Sequence, residues 1–147
     1  MLKGDLIHPQ VLAALGAAGH GSKVLISDGN YPHATACGPN AERVFLNLSP
    51  GVVGATEVLK ALVSAIPIEA AAVMATLKSG PYAMTEDPPI WASYRAVLAG
   101  TDCRGQLEQV DRFAFYELAR GGDVCLLIAT AETQIYANLL LTIGVRR

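Results

Sequence analysis

The 147-residue sequence has few charged residues and no cluster of basic ones. Charged residues make up 16% of the chain, and 11 Lys and Arg residues stand against 13 Asp and Glu residues, so the net charge is −2. No Lys/Arg-rich helix with interleaved aromatic residues is present. The sequence therefore argues against nucleic acid and anionic membrane surfaces as main partners, because both bind proteins through basic patches.

Cysteine is scarce, and no long hydrophobic run is present. Cys37, Cys103 and Cys125 are an odd number, lie far apart and form no Cys-x-x-Cys pair. This pattern argues against a disulfide scaffold or a structural zinc site and predicts reduced thiols in a cytoplasmic protein. No apolar run reaches membrane-spanning length, and no apolar segment typical of a signal peptide follows Met1. We therefore expect a soluble protein that is not exported and has no membrane partner.

Motifs for nucleotide binding and for a nucleophilic serine are missing too. Without a Gly-x-Gly-x-x-Gly or a Walker motif, no nucleotide cofactor is expected. Ser27 lacks the Gly-x-Ser-x-Gly pattern of a nucleophile elbow. His20, Asp28 and His33 have the composition of a metal triad, but their spacing matches no specific motif. We therefore expect neither a cofactor nor a metal.

What the sequence does contain is apolar residues, in patterns typical of alternating helices and strands. The apolar fraction is 52%, and the mean hydropathy is +0.35. This surplus predicts that some apolar surface is buried between subunits. The pattern predicts one α/β domain over residues 1–147, with a mostly parallel central sheet flanked by helices. Strands are predicted at 24–26, 43–48, 69–76, 105–110 and 124–129, and helices at 9–18, 51–66, 88–99 and 112–120, with a last apolar stretch at 135–145. The alanines of the segment 69–76 leave a helix as the alternative there.

Polar residues with acid/base or hydrogen-bonding capacity surround the first predicted strand. His20 precedes residues 24–26, while Asp28, Asn30 and His33 follow them. In open α/β sheets, ligands gather outside the carboxyl ends of the strands. This cluster is therefore a candidate site, although Asp-Gly-Asn is also an ordinary turn sequence.

Further polar candidates lie in the second half of the chain. Arg112 opens a predicted helix, and Glu132 follows the strand at 124–129. If Tyr136 and Asn138 lie in a strand, they point to the same face because they are two residues apart. Together these groups suit a polyhydroxylated ligand, whose apolar face an aromatic ring could cover; the candidate rings are Tyr31, Trp91 and Tyr116. Alternatively, Arg112 is solvated or paired with a carboxylate, and Trp91 and Tyr116 belong to the core.

Six segments in a particular order and spacing carry a family resemblance. They are Met1–Gly4, Leu15–Gly21, Ser27–Pro32, Pro89–Trp91 with Tyr94, Asp111–Glu117, and Ala129–Glu132 with Tyr136–Leu141. They resemble the RbsD/FucU sugar mutarotase family, and the Arg-Phe-x-Phe-Tyr-Glu segment favours its L-fucose mutarotase branch. The match runs along nearly the whole chain. Ala131 departs from the Gly that the family usually has before the Glu, which leaves the shape of this turn open.

The resemblance implies an isomerase that interconverts the α and β anomers of L-fucose or a related free monosaccharide. It also implies a ring-like homo-oligomer with sites near subunit contacts and no cofactor. The oligomer is often a decamer of two pentamers in this family, and smaller assemblies occur as well. His20 matches the position of the catalytic acid/base, and the sugar-contacting positions match Asp28, Arg112, Tyr136 and Asn138. Asp28 is expected either to orient His20 or to hold a sugar hydroxyl directly. Two alternatives stay open: a D-ribose pyranase that interconverts pyranose and furanose forms, and a non-catalytic monosaccharide-binding module. The loops at 34–42 and 78–89 are expected to form the pocket walls that decide which sugar is bound.

Overall fold

The computed structural model describes residues 1–147. Its four helices and six strands follow one another in the order α1 (Pro9–Ala17), β1 (Lys23–Ser27), β2 (Glu42–Phe45), α2 (Ala55–Val63), β3 (Ile68–Met74), α3 (Pro89–Leu98), β4 (Glu108–Val110), α4 (Arg112–Ala119), β5 (Val124–Ala129) and β6 (Leu139–Ile143). None of the helices combines the length and the apolar composition needed to cross a bilayer.

The six strands form one sheet in the order β2-β5-β1-β6-β3-β4. β1 and β2 each pair with β5 in parallel, and β3 pairs with β4 in parallel. β6 is antiparallel to both of its neighbours, β1 and β3. Five strands therefore share one direction, and β6 makes the sheet mixed. This confirms the predicted α/β class with a mostly parallel sheet.

Both faces of the sheet are covered, because successive residues of the central strands point to opposite sides. Val24 and Ile26 of β1 pack in a larger core with α1, α2 and α3. Leu25 packs in a smaller core on the other face, where α4 contributes Phe115 and Ala119. The continuous apolar runs of β1 and β5 are typical of strands buried on both faces.

Most predicted elements are confirmed, with shifted ends. The second helix was predicted at 51–66 but begins only at Ala55, because Gly51 has a φ of +82° and belongs to the preceding turn. The alanine-rich segment predicted at 69–76 is a strand and not a helix; it forms β3, from Ile68 to Met74, and β2 and β4 are shorter than predicted. The prediction that Tyr136 and Asn138 lie in one strand is wrong. β6 begins only at Leu139, and the φ of +59° at Tyr136 is incompatible with extended backbone.

Candidate active site

The end of β1 and the start of β6 lie side by side at one edge of the sheet. Because the two strands are antiparallel, Ile26 stands opposite Leu139. The chain therefore brings the segment after Ser27 next to the segment before Leu139. Asp28 and Asn138 meet there, and both are buried, with 4% and 6% of their surfaces exposed.

Asn138 binds Asp28 through two hydrogen bonds. The Asn138 Oδ1 atom accepts from the Asp28 backbone N–H at 2.9 Å, and the Asn138 Nδ2 atom donates to Asp28 Oδ2 at 2.9 Å. The other carboxylate oxygen, Oδ1, accepts from the backbone N–H of Asn30 at 3.0 Å, as in an Asx turn. The position of the Asp28 carboxylate is therefore fixed from two sides.

The pKa of Asp28 is raised from its ordinary value to about 6. Burial is the largest cause, because it disfavours the charged form, and hydrogen bonds from the backbone N–H of Asn30 and from Asn138 only partly offset it. Asp28 can therefore change its charge near neutral pH.

The loop that carries Tyr136 and Asn138 is held from below by α3. The indole Nε1 of Trp91 donates to the Tyr136 carbonyl at 2.9 Å, and the Tyr94 hydroxyl donates to the Ala137 carbonyl at 2.6 Å. Burial raises the pKa of Tyr94 above its usual value. Trp91 is fully buried, so it belongs to the core and cannot cover a sugar.

Helix α4 supplies an arginine and an aromatic ring to the same region. Its first turn is capped by Asp111, whose Oδ2 accepts from the backbone N–H of Phe113 at 3.1 Å. Arg112 stands at the start of the helix. Its guanidinium makes no side-chain hydrogen bond or ion pair, in contrast to those of Arg43, Arg95 and Arg120. Tyr116, one turn further on, stacks on Tyr31 with a centroid distance of 5.7 Å.

These groups enclose a pocket of about 200 Å³. Its lining residues come from four places, namely the end of β1, the end of β3 with the following loop, α4, and the loop before β6; they are Asp28, Asn30, Tyr31, Met74, Ala75, Leu77, Tyr82, Arg112, Tyr116, Ile135, Tyr136 and Asn138. Asp28, Arg112, Tyr136 and Asn138, four of the five predicted site residues, are thus brought together. Carboxylate, amide, guanidinium and phenol groups beside aromatic rings suit a ligand with many hydroxyl groups.

The Tyr136 hydroxyl ties a neighbouring loop to this pocket. It accepts from the backbone N–H of Leu77 at 3.1 Å and donates to the Tyr82 carbonyl at 2.7 Å. A further backbone hydrogen bond, from the N–H of Met84 to the Leu77 carbonyl at 2.9 Å, closes the loop on itself. The pocket wall formed by Leu77 and Tyr82 therefore depends on Tyr136.

His20 is the predicted site residue that the fold keeps apart from the others in the same chain. It precedes β1, whereas Asp28 follows it, and five residues of strand span roughly 16 Å at about 3.3 Å per residue. His20 Nε2 instead lies 3.0 and 3.2 Å from the two carboxylate oxygens of Glu69. The side chain of His20 is 58% exposed. Asp28 therefore does not orient the His20 of its own chain.

His33 and Glu132, which the sequence also singled out, make contacts outside this pocket. His33 Nδ1 lies 2.9 Å from Ser27 Oγ, and burial lowers the pKa of the His33 imidazole. Glu132 Oε2 accepts from the backbone N–H of Ala55 at 3.3 Å, at the start of α2. No group of three His, Cys, Asp or Glu side chains is placed to hold a metal ion.

A comparison with known protein families identifies the family of this chain. The model of the RbsD / FucU transport protein family matches residues 1–146. The chain belongs to the RbsD/FucU family. Among curated relatives, the fucose mutarotase of Danio rerio is 33% identical, with 99% of this chain and 94% of that protein covered. The fucose mutarotase of Homo sapiens is 31% identical, with 98% and 94% covered.

Solved structures of RbsD/FucU proteins have the same fold. FucU from Bifidobacterium longum superimposes with a TM-score of 0.80 at 32% identity, and 96% of each chain is covered. The fucose mutarotase from Streptococcus pneumoniae, solved in complex with L-fucose, gives a TM-score of 0.77 at 27% identity, with 96% of this chain and 95% of that chain covered.

The loop after β3 forms part of the pocket wall of this RbsD/FucU protein, as the sequence predicted for residues 78–89. The other predicted wall, residues 34–42, contributes no lining residue. The sequence did not identify Leu77 and Tyr82 as the residues of this region that line the pocket. The signal available in the sequence was an aromatic residue in a Gly- and Pro-containing loop after a buried strand. The presence of an aromatic residue in such a loop does not reveal which group the loop contacts or where its side chains point. Both depend on the hydrogen bonds of the loop backbone with the Tyr136 hydroxyl.

Proposed function

We propose that this protein is a mutarotase that interconverts the α and β anomers of L-fucose or a closely related monosaccharide. The observation that carries the proposal is the pocket in which the buried Asp28–Asn138 pair, Arg112 and Tyr136 converge. The fucose mutarotases among the relatives of this chain supply the substrate class. A pocket of about 200 Å³ with these polar groups fits a monosaccharide rather than a large ligand.

The reaction opens the sugar ring and closes it on the other face of the anomeric carbon. In the opening step, the proton of the anomeric hydroxyl is removed, the bond between C1 and the ring oxygen breaks, and the ring oxygen receives a proton. One group that takes the first proton and returns it to the ring oxygen balances the step. We assign this role to His20, since positioned acid/base groups contribute about 10²- to 10⁴-fold in rate. The reaction involves no oxidation or reduction of the sugar, so it consumes no redox cofactor.

Asp28, Arg112, Tyr136 and Asn138 bind the sugar in this proposal. Asp28 is held rigidly enough to accept hydrogen bonds from sugar hydroxyls, and Arg112 has free donors at the pocket wall. Asn138 fixes Asp28, and the Tyr136 hydroxyl can accept a further hydrogen bond. Stacked Tyr31 and Tyr116 place an aromatic surface beside these polar groups.

In this proposal, His20 reaches the sugar from a second copy of the chain. The pocket of the same chain lies at the other end of β1 from His20. The His20 side chain is exposed, so it is free to approach the pocket of a neighbouring protomer. Exposed apolar side chains stand on or beside the pocket wall, with 76% of Phe113, 62% of Tyr82 and 41% of Ile135 exposed. Their burial in a homo-oligomer would cover the pocket mouth, and the decamer expected from the family resemblance is one such assembly.

We further propose that residues 1–147 act as one mutarotase domain in the cytoplasm. All six strands, from Lys23 to Ile143, join a single sheet. Cys37, Cys103 and Cys125 are all free thiols, which fits a reducing compartment.

Saturation-transfer proton NMR tests the proposed activity. One anomeric signal of L-fucose is saturated with and without the protein, and faster transfer to the other anomer is the expected result. Transfer only between ring forms of D-ribose would favour a ribose pyranase. Broadened sugar signals without any exchange would favour a non-catalytic binding module, and both of these results would overturn the proposal.

Mixed oligomers test the origin of His20. With L-fucose kept well below its dissociation constant, His20→Ala and Arg112→Ala are each expected to lose most of their activity alone. When the two variants are co-expressed, random assembly of shared sites is expected to restore about a quarter of the wild-type activity, since both intact groups then meet across chains. If the mixture stays inactive while each variant still assembles, His20 does not act across chains.

A further inference from the structure

The Glu69 carboxylate is the hydrogen-bond partner of the His20 side chain. Both of its oxygens face His20 Nε2, at 3.0 and 3.2 Å. The pair joins residues 49 positions apart in the sequence, so the fold rather than local sequence brings them together. Neither the motifs that carry the family resemblance nor the pocket includes Glu69.

The backbone on both sides of this pair is anchored to the sheet. The loop of His20 is fixed to the end of β6, because the N–H of Gly21 donates to the Ile143 carbonyl and the N–H of Ile143 donates to the Ser22 carbonyl, both at 2.9 Å. Glu69 lies in β3, the other neighbour of β6. The Glu69 side chain lies against Gly144. A Cβ atom added at Gly144 would lie 3.2 Å from Glu69 Cβ. The glycine thus leaves space for the carboxylate to lie beside His20.

We propose that Glu69 is the positioning residue for His20 in the mutarotase reaction. This inference rests on the proposed function, in which His20 is the acid/base. A neutral imidazole carries one N–H donor and one lone-pair acceptor, while an ionised carboxylate only accepts. The Nε2 atom that faces Glu69 therefore carries the hydrogen, and Nδ1 is left as the atom that exchanges the proton with the sugar.

The proton transfer at Nδ1 balances as written. The lone pair of Nδ1 takes the proton from the anomeric hydroxyl while the C1–ring oxygen bond breaks and the aldehyde forms. The imidazolium then returns that proton from Nδ1 to the former ring oxygen. The aldehyde rotates about the C1–C2 bond, and the same proton transfers in reverse close the ring on the other face of C1. Glu69 keeps its hydrogen bond to Nε2 throughout. In other acid/base sites, a carboxylate likewise orients the catalytic histidine through the ring nitrogen that does not react.

A contribution to folding stability does not explain the His20–Glu69 pair. The His20 and Glu69 side chains are 58% and 37% exposed, and exposed ion pairs of this kind contribute little to folding. Orientation is a different matter, because a hydrogen bond to one ring nitrogen decides which nitrogen is free to react. Insertion of His20 into the pocket of a second copy would also remove solvent from the pair and strengthen it.

The test combines a tautomer measurement with kinetics on the full chain. Long-range ¹H–¹⁵N NMR of the wild type is expected to show His20 in the Nε2–H tautomer, and Glu69→Ala is expected to gain the Nδ1–H tautomer. In the anomer-exchange assay, Glu69→Ala is expected to lower kcat roughly tenfold while KM stays within about twofold. Glu69→Gln keeps an accepting oxygen and is expected to retain the wild-type tautomer with an intermediate kcat.

Two comparisons separate positioning from a general structural effect. Glu108→Ala removes an exposed glutamate from β4 and is expected to leave kcat unchanged. In a His20→Ala background, Glu69→Ala is expected to lower the residual rate no further, because the two residues act as a unit. An equal loss in both backgrounds, or an unchanged tautomer, would overturn the role of Glu69. A wild-type protein without anomer exchange would overturn the proposed function, while the tautomer result would still decide whether Glu69 orients His20.

Discussion

Asn138 holds Asp28 at two points, the backbone N–H and the carboxylate, with both hydrogen bonds 2.9 Å long. The two residues are 110 positions apart, and they meet because β6 runs antiparallel to β1. An amide can serve both groups at once, since it carries an acceptor and a donor. The single antiparallel strand of the sheet therefore determines where the carboxylate of the pocket stands.

Replacement of Asn138 by leucine is expected to destabilise the protein by about 1–3 kcal/mol. Leucine has a similar size but leaves the buried N–H of Asp28 without a partner, and unsatisfied buried groups have costs of this order. Urea unfolding measures the change. Asn40→Ala is the matched control, because Asn40 donates to the Gly122 carbonyl from an exposed position. A loss for Asn138→Leu no larger than that of the control would contradict the structural role of the pair.

The raised pKa of Asp28 predicts a pH-dependent stability. Asp28 has a pKa of about 6 in the folded protein and about 3.8 when unfolded. The folded state therefore holds the proton more tightly, and stability is lost as the pH rises from about 4 through 6. A shift of about 2 units corresponds to roughly 3 kcal/mol at most. Above pH 6 the buried carboxylate is ionised, and the loss is complete.

The Asp28→Asn variant isolates this contribution, because it cannot ionise. Urea unfolding of wild type and variant at pH 4.5 and 7.5 gives a double difference in the free energy of unfolding. We expect the wild type to lose stability relative to the variant at the higher pH, whatever the fixed effect of the substitution itself. Parallel pH profiles would show that the pKa of Asp28 is not raised. Carboxyl ¹³C NMR, with an expected midpoint near pH 6, measures the same pKa directly.

Much of the architecture could be predicted because local patterns dominate it. The apolar run at 124–129 is β5 with the predicted ends, and Asp111 caps α4 as its position before Arg112 indicates. The alanine-rich segment of β3 was predicted as a strand because a short, continuous apolar run is typical of a buried strand, but its alanines left a helix as the alternative.

Parts of the site that depend on contacts between distant segments could be predicted only incompletely. Tyr136 and Asn138 line the same pocket, but the predicted reason, a shared strand face, is wrong. Trp91 and Tyr94 hold the backbone carbonyls of the loop instead, and Tyr136 takes up a positive φ. The separation of His20 from Asp28 follows from their positions before and after β1, but the partnership of His20 with Glu69 depends on strand pairing across β6, which local patterns do not specify.

Tyr136→Phe is expected to loosen the loop at 77–84 without unfolding the protein. The substitution removes the hydroxyl that bonds the Leu77 N–H and the Tyr82 carbonyl, each bond being worth about 0.5–1.5 kcal/mol. Hydrogen exchange of the Leu77 amide is expected to accelerate, while amides of β1 and β5 stay protected. Tyr116→Phe is the matched control, because the Tyr116 hydroxyl makes no hydrogen bond. Equal exchange at Leu77 in both variants would show that Tyr136 does not hold the loop.

Arg112 is placed where a folded protein gains little from a cation. It stands in the first turn of α4, where the helix dipole disfavours positive charge, and it has no ion-pair partner. Arg112→Ala is therefore expected to change the free energy of unfolding by less than about 0.5 kcal/mol. Loss of its donors from the pocket is expected to weaken L-fucose binding tenfold or more, which corresponds to about 1.4 kcal/mol.

Titration of L-fucose by NMR and urea unfolding measure the two quantities on the same samples. Arg112→Lys keeps the charge but loses the planar fork of donors, so its affinity is expected to stay well below that of the wild type. Arg147→Ala removes an exposed guanidinium that lies outside the pocket, and this variant is expected to bind L-fucose like the wild type. If Arg112→Ala binds L-fucose normally, the side chain is simply solvated. If it loses stability and affinity together, Arg112 supports the fold of the pocket rather than the sugar.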